Sequence, residues 1–203
     1  IYKGRQRTET PERTASVLKL LQDRYRIDAV QFYDNNFFLN ESHTAELASR
    51  LIPLRLNWWS EGRIDAVVKY SADTFRLLQR AGSKMIFFGA ESGSDKVLKQ
   101  MNKRITTDQT LELAGKIREY GIVPEFSFVV GNPENPEEDT TETIRFIRRI
   151  KKINPDAEII VQHYIPTPHP DGMYGNIDAK IQFPSTPDEW ATERWFNFSV
   201  RYD

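Results

Sequence analysis

Apolar residues recur along this chain with two alternating periods. Between residues 11 and 25 they recur at helical spacing, and Thr10, Pro11 and Glu12 have the composition of a helix start, with an N-cap residue, a proline in the first turn and an acid. The next apolar segment, DAVQFYDNNF, is short, β-branched and aromatic and runs into a polar loop. The pattern predicts a helix from about Pro11 to Tyr25, followed by a strand.

The alternation continues to about residue 168. Helix starts are predicted at Asn40, Ser71, Thr106 and Asn135, the last opening a long helix whose buried stripe is Ile144, Phe146, Ile147 and Ile150. The intervening segments RLNWWS, KMIFFGAESGS, PEFSFVVGNPEN and AEIIVQHYIPTP are predicted as strands. Strands that recur every ~26 to 40 residues between helices are typical of parallel βαβ units.

Right-handed crossovers between such strands build either an open, doubly wound sheet or an arc of a barrel. The chain has no internal repeat, low-complexity tract or Gly/Ser linker, which favours one α/β domain. From about Gly172 the strand–helix rhythm stops, and this tail is predicted as an extension with a short helix.

Charge and hydropathy exclude several classes of partner. The chain carries 28 Lys and Arg against 29 Asp and Glu, so it has no net field that would attract nucleic acid, and no nucleic-acid partner is predicted. No apolar run approaches the ~20 residues that a membrane span requires. The N-terminus lacks the apolar stretch of a signal peptide, and a cytoplasmic location is predicted.

Cysteine is absent from the 203 residues. This excludes disulfides, cysteine nucleophiles and any iron–sulfur cluster held by these residues alone. The three histidines are poorly spaced for zinc, so no metal ligand is predicted, and His163 is interpreted as a packed core residue. Since the chain begins without Met, it is predicted to be part of a longer protein.

A polar cluster follows each predicted strand: YDNN at 33–36, SEGRID at 60–65, GAESGS at 89–94, GNPE at 131–134 and HYIPTP at 163–168. The carboxyl ends of parallel strands meet at one edge, which predicts a polar pocket there. None of the clusters has the order of a P-loop or a dinucleotide fingerprint. Two interpretations from these residues remain open: a metal-independent hydrolase or lyase with Asp34, Glu91 and Glu125 as general acid and base, and a nucleoside-binding module.

Taken in order, the clusters resemble the radical S-adenosylmethionine (SAM) superfamily, and within it the cobalamin-binding group that includes anaerobic magnesium-protoporphyrin monomethyl ester cyclase. The resemblance extends from Lys3 to Tyr174. It implies a partial (β/α)6 TIM-like barrel over residues 1–175 that lacks its first strand and the CxxxCxxC cluster loop, with a C-terminal extension over 176–203. The segment KGRQRTETPER resembles the one that follows the cluster loop.

The resemblance also implies the chemistry. The cofactors would be SAM, a [4Fe-4S] cluster in the full-length parent and, through an upstream domain, cobalamin. Reductive cleavage of SAM would start radical chemistry on a small-molecule substrate, with an electron donor as partner. The 203 residues alone would be inactive, with no catalytic residue and no metal ligand, because the cluster cysteines are absent.

Residue roles follow from the matching motifs. YDNNF takes the place of the motif that contacts the SAM amino group, and in GAESGS the acid Glu91 would reach SAM. In the MNKR segment, Arg104 and then Lys103 would bind the SAM carboxylate, since a guanidinium grips a carboxylate at two points. SFVVGNPE resembles GxIxGxxE, with Ser127 at the first Gly, and YIPTP resembles the adenine-stacking stretch. The predicted SAM-binding residues are Tyr33, Asp34, Asn36, Arg63, Glu91, Lys103, Arg104, Ser127, Val129, Gly131, Glu134, Tyr164 and Pro166.

Overall fold

The computed structural model describes residues 8–38, 40–166 and 180–200, with side chains described as far as residue 197. The strands are β1 (Ala29–Gln31), β2 (Asn57–Gly62), β3 (Ser83–Glu91), β4 (Val123–Val130) and β5 (Glu158–His163). The helices are α1 (Pro11–Tyr25), α2 (Glu41–Leu51) with a 3-10 turn (Ile52–Leu54), α3 (Ile64–Val67), α4 (Ala72–Arg80), α5 (Asp95–Gln100), α6 (Thr107–Arg118), α7 (Pro136–Ile153), α8 (Pro187–Trp190) and α9 (Glu193–Val200).

The strands form one parallel sheet in the order β1-β2-β3-β4-β5, which curves into a half-barrel. Sequential order means that every right-handed crossover proceeds in the same direction, so the connecting helices cover one face only. A doubly wound sheet would reverse its order instead. The predicted partial barrel is therefore confirmed.

The two faces of the sheet differ in burial. On the helix side of β3 and β4, Ile86, Phe88, Phe126 and Phe128 are fully buried and form the centre of the core. On the concave side, Phe87 and Gly89 are only half-buried. Side chains alternate along a strand, so this contrast identifies the concave face as the open one.

Most helix starts agree with the sequence. The side chains of Thr10, Asn40, Ser71 and Thr106 each accept a backbone N–H, and Thr106 forms a capping box with Gln109. Asn135 is the N-cap residue of α7 with Pro136 in its first turn, as predicted, but its side chain accepts no backbone N–H, and its amide donates to the Glu138 carboxylate.

Several local expectations are corrected. The first strand is shorter than predicted, and the short helices α3 and α5 lie in segments where no helix was predicted. Ile144 is exposed, since the buried side of α7 is formed by Asp139, Thr143, Phe146 and Ile150. The predicted burial of His163 is also wrong: it ends β5, the outermost strand of the described sheet, and it is exposed.

The C-terminal part contains two short helices where one was predicted. Rings of Phe183, Trp190 and Trp195 contact one another, with centroids 5.2 to 6.1 Å apart. The boundary predicted at 175/176 lies outside the described residues. None of the described helices is long and apolar enough to cross a membrane.

Candidate active site

A cavity of about 490 Å³ opens at the carboxyl ends of β2 and β3, on the concave side of the sheet. The sequence clusters at 60–65 and 89–94 both reach it, as the strand-end argument predicts. Its lining residues are Asn35, Glu61, Gly62, Arg63, Ile64, Asp65, Phe87, Gly89, Glu91, Asn102, Lys103, Arg104 and Ile105.

Glu91 enters the cavity from a strained turn. Its φ is +65°, and the N–H of Ser92 donates to the carbonyl of Ala90 at 2.8 Å, which makes a three-residue turn centred on Glu91. A turn of this kind is rare, and such a conformation costs on the order of 1–3 kcal/mol for a residue other than glycine. Strain of this size persists only where neighbouring contacts over-determine it.

Gly89 leaves the space that the Glu91 carboxylate occupies. A Cβ built on Gly89 would lie 2.6 Å from Glu91 Oε1, far inside van der Waals contact. The side chain of Glu91 therefore lies back over Gly89 on the concave face. A side chain at position 89 would displace the Glu91 carboxylate from this place.

Lys103 meets Glu91 across the cavity, with its Nζ 2.6 Å from Glu91 Oε1. The end of α5 sets its position. Asn102 adopts a left-handed conformation, with φ +53°, and the N–H of Lys103 donates to the Leu98 carbonyl at 2.9 Å. This is a Schellman motif with asparagine in the place of glycine, and it directs the next two basic residues to the cavity.

Arg63 is already paired within its own segment. Its Nε and Nη2 donate to the two carboxylate oxygens of Asp65 at 3.0 and 2.7 Å. This hydrogen bonding lowers the pKa of Asp65 below its ordinary value, with the charge of Arg63 assisting. To bind a ligand, as predicted, the Arg63 guanidinium would have to leave its bidentate ion pair with Asp65.

The cavity is lined by three cations and three carboxylates. Two pairs form, Arg63 with Asp65 and Lys103 with Glu91, while Arg104 and Glu61 have no ion-pair partner among the described residues. An unpaired guanidinium and an unpaired carboxylate in one cavity complement a zwitterion that carries both an ammonium and a carboxylate. The amino-acid part of SAM has this charge pattern, so the residues present fit it.

The loop after β1 reaches the cavity through Asn35 and not through the predicted Asn36. Tyr33 is 76% exposed, with its ring 6.0 Å from that of Trp59, and Asp34 is also exposed. Asn36 has a buried Oδ1 with no hydrogen-bond partner among the described residues.

The predicted residues of β4 and β5 lie beside the cavity or away from it. Ser127 and Val129 lie on the concave face, and Ser127 is in register with Gly89. Glu134 is exposed and accepts from Gln100, in a separate groove. Tyr164 and Pro166 follow β5 and do not line the cavity, and residues 167–172 of that stretch lie outside the described residues.

The structure therefore brings together Arg63, Glu91, Lys103 and Arg104 from the predicted set. The lining residues that the predicted set omits include Glu61 and Phe87. Both lie on the concave face of the sheet. Glu61 is the neighbour of Phe87 on the adjacent strand, and Phe87 is four residues from Glu91 along β3. Period-two alternation was the signal that could have found them.

Comparison with known proteins identifies the family. The model of the radical SAM superfamily matches residues 1–147 of the 203. The chain belongs to the radical SAM superfamily. Enzymes of this superfamily use SAM together with a [4Fe-4S] cluster, which are two of the cofactors that the sequence motifs imply.

Several relatives of this radical SAM chain are methyltransferases or cobalamin enzymes. An uncharacterised methyltransferase of Pyrococcus horikoshii is 27% identical over 168 residues, which is 82% of this chain and 35% of that protein. The radical SAM methyltransferase TsrM of Kitasatospora setae, solved with tryptophan and a SAM analogue, superimposes with a TM-score of 0.64 at 15% identity, covering 78% of this chain and 30% of TsrM.

The cobalamin-dependent SAM radical enzyme OxsB, solved with aqua-cobalamin and SAM, gives a TM-score of 0.60 at 16% identity, covering 86% of this chain and 26% of OxsB. At these identities the superpositions show the fold. The chain spans about a quarter to a third of the length of these relatives.

The two cofactors of the superfamily fit these residues differently. The cavity charges fit SAM, as described above. The cluster does not fit, because the 203 residues contain no cysteine and therefore no thiolate ligand.

The hydrolase interpretation gains no support. Of its three carboxylates, only Glu91 lines the cavity, since Asp34 is exposed and Glu125 accepts the indole N–H of Trp59 at 3.0 Å. A general acid and base must both lie within hydrogen-bond reach of one substrate. The comparisons point to the radical SAM enzymes instead.

Proposed function

We propose that these residues form the SAM-binding part of a cobalamin-dependent radical SAM methyltransferase. The observation that carries the proposal is the unpaired Arg104 and Glu61 beside the Glu91–Lys103 ion pair, in a cavity at the carboxyl ends of parallel strands. The methyltransferase and cobalamin relatives support the reaction class.

Each lining residue has a role in this proposal. Arg104 binds the carboxylate of SAM through two parallel hydrogen bonds, and Glu61 and Glu91 accept from its ammonium. Phe87 and Ile105 provide apolar surface that excludes water from the bound ligand. Ser127 and Val129, on the concave face of β4, contact the adenosine part. When bound, SAM supplies the sulfonium chemistry, and the protein provides binding and orientation.

The remaining parts of the reaction belong to the complete protein in this proposal. The cluster cysteines lie outside the 203 residues, cobalamin binds in another domain, and an external donor supplies the electron. The partner is a small-molecule substrate, and the location is cytoplasmic. Because the 203 residues supply no thiolate, they are expected to be inactive on their own.

The test uses the complete protein, reconstituted anaerobically with iron and sulfide and supplied with SAM and a reductant. We expect 5'-deoxyadenosine or S-adenosylhomocysteine in the products, measured by mass spectrometry. Arg104→Ala is expected to raise the KM for SAM about tenfold or more, because a hydrogen-bonded ion pair contributes about 1.5–3 kcal/mol.

The matched control is Arg80→Ala, which removes an exposed arginine at the end of α4, away from the cavity. Its KM for SAM should stay unchanged. A reconstituted protein that binds no SAM, or an Arg104→Ala variant with the affinity of the unmodified protein, would contradict the proposal.

A further inference from the structure

A buried carboxylate on α7 connects the two loops that follow β3 and β4. Asp139 is only 3% exposed, yet no described cation pairs with it. Its Oδ2 accepts the backbone N–H of Asn132 at 3.1 Å, and its Oδ1 accepts the hydroxyl of Ser92 at 3.3 Å. A buried polar group is costly unless it is hydrogen-bonded, and both carboxyl oxygens of Asp139 are satisfied by these two loops.

One helical turn further along, Thr143 contacts the same β3 loop. Thr143 is fully buried, and its Oγ1 accepts the N–H of Gly93 at 3.1 Å. The approach is so close that a Cβ on Gly93 would lie 2.7 Å from Thr143 Cα and 2.6 Å from Phe146 Cβ. The loop is therefore pressed against α7 with no room for adjustment.

The two residues that α7 contacts, Ser92 and Gly93, directly follow Glu91 in the chain. Ser92, held by Asp139, is also the residue whose N–H closes the turn around Glu91, and its Oγ accepts the N–H of Ser94 at 3.1 Å. Without this anchoring, Glu91 would relax to a negative φ and its carboxylate would leave the space above Gly89.

We propose that Asp139 is a positioning residue for SAM binding, which acts by holding Ser92 and so fixing Glu91 in its left-handed conformation. Asp139 does not line the cavity, so it acts on the ligand only through Glu91. This inference rests on the proposed function, since it assumes that Glu91 contacts SAM. It adds a residue outside the cavity to the binding machinery.

The experiment measures the Kd of SAM and the Tm of the complete, reconstituted protein. Asp139→Ala is expected to weaken SAM binding about tenfold, because it removes the buried hydrogen bond that holds Ser92 and leaves the Ser92 hydroxyl without its acceptor. Asp139→Asn retains an oxygen for the Asn132 N–H and an amide for Ser92, so it should recover most of the affinity. If Asp139→Ala does not fold, Ser92→Ala removes the hydroxyl alone and should weaken binding in the same direction.

The matched control is Asn154→Ala at the other end of α7. Asn154 is equally buried and its amide donates to the Ala114 carbonyl at 3.0 Å, far from the cavity. It should lower Tm and leave the Kd of SAM unchanged. An Asp139→Ala protein that loses Tm but binds SAM normally would show a merely structural role and overturn the inference.

A double-mutant cycle separates action through Glu91 from a general effect. Glu91→Gln and Glu91→Gln/Asp139→Ala are expected to bind SAM equally weakly. If Asp139 acts only by positioning the Glu91 carboxylate, its substitution has no further effect once that carboxylate has been removed. If the double variant loses SAM affinity by the product of the two single losses, the inference is overturned while the proposed function stays intact. If the unmodified protein binds no SAM, the proposed function fails first.

Discussion

At the scale of single residues, the site depends on the absence of one methyl group. Gly89 leaves room for the carboxylate of Glu91, and Glu91 in turn holds the ammonium of Lys103 at 2.6 Å. The positive φ of Glu91 keeps this carboxylate over Gly89. The positions of Gly89, Glu91 and Lys103 thus depend on one another, and a substitution of any of them should weaken SAM binding.

Gly89→Ala is expected to weaken SAM binding with little loss of stability. The new Cβ would displace the carboxylate of Glu91, which is the far end of a flexible side chain and can move without disturbing the core. The measurement is the Kd of SAM together with Tm.

The control for Gly89→Ala is Gly115→Ala on α6, where a Cβ would meet only Ile153 at 3.4 Å. It should stabilise the helix by about 0.5–1 kcal/mol and leave SAM binding unchanged. Equal SAM affinity in the two variants would contradict the role assigned to Gly89.

At the scale of elements, carboxylates connect the starts of neighbouring helices. Glu41, in the first turn of α2, accepts the N–H of Ser71 and the hydroxyl of Thr74 at 2.7 Å each, at the start of α4. Burial acts to raise the pKa of Glu41, but these hydrogen bonds outweigh it and the pKa lies below its ordinary value. The two helices therefore depend on an ionised carboxylate.

Glu41→Gln should lower stability at neutral pH, and the difference from the unmodified protein should shrink in acid. A carboxyl with a lowered pKa in the folded state contributes stability that is complete above its unfolded pKa and is lost as the pH falls below about 4.3. Denaturant unfolding at a series of pH values measures this.

The control for Glu41→Gln is Glu46→Gln, which breaks an exposed ion pair with Arg50 and should change stability by less than about 1 kcal/mol. A Glu41→Gln difference that grows as the pH falls would contradict the assignment.

At the scale of the whole molecule, one face of the sheet packs against the helices and forms the core, and the other face lines the cavity. Adjacent residues of β3 belong to opposite faces: Phe88 is fully buried against the helices and near Phe126, while Phe87 lines the cavity. The neighbouring strand β2 makes the same division, since Trp58 is buried on its helix side while Glu61 lines the cavity. Stability and ligand binding are thus assigned to different faces of one sheet.

Alanine at these two adjacent positions should have opposite consequences. Phe88→Ala is expected to cost about 3–5 kcal/mol in the free energy of unfolding, because it leaves a cavity in the core. Phe87→Ala should cost much less stability and should weaken SAM binding. Chemical denaturation and SAM titration measure the two effects, and Phe88→Leu serves if the alanine variant does not fold. Similar stability losses at both positions would contradict the division.

Much of the fold could be predicted from local patterns. Capping residues such as Thr106 fixed helix starts because the N-cap bond is made within four residues, and the strand segments were evident from their β-branched and aromatic content. Glu91, Lys103 and Arg104 could be selected because each lies in a short motif of neighbouring residues, GAESGS or MNKR. Asn135 and Pro136 likewise marked the start of α7, although the Asn135 side chain donates to Glu138 and accepts no backbone N–H.

The sequence by itself determined the alternating elements, the parallel class and the basic and acidic residues at the strand ends, because each depends on neighbours close in the chain. Only the tertiary structure decided that Arg63 is paired with Asp65 while Arg104 and Glu61 are not, and that Asp139 holds Ser92. Asp139 and Ser92 are 47 residues apart in the chain. Their contact depends on how α7 packs against the end of β3, and a local pattern carries no information about that distance.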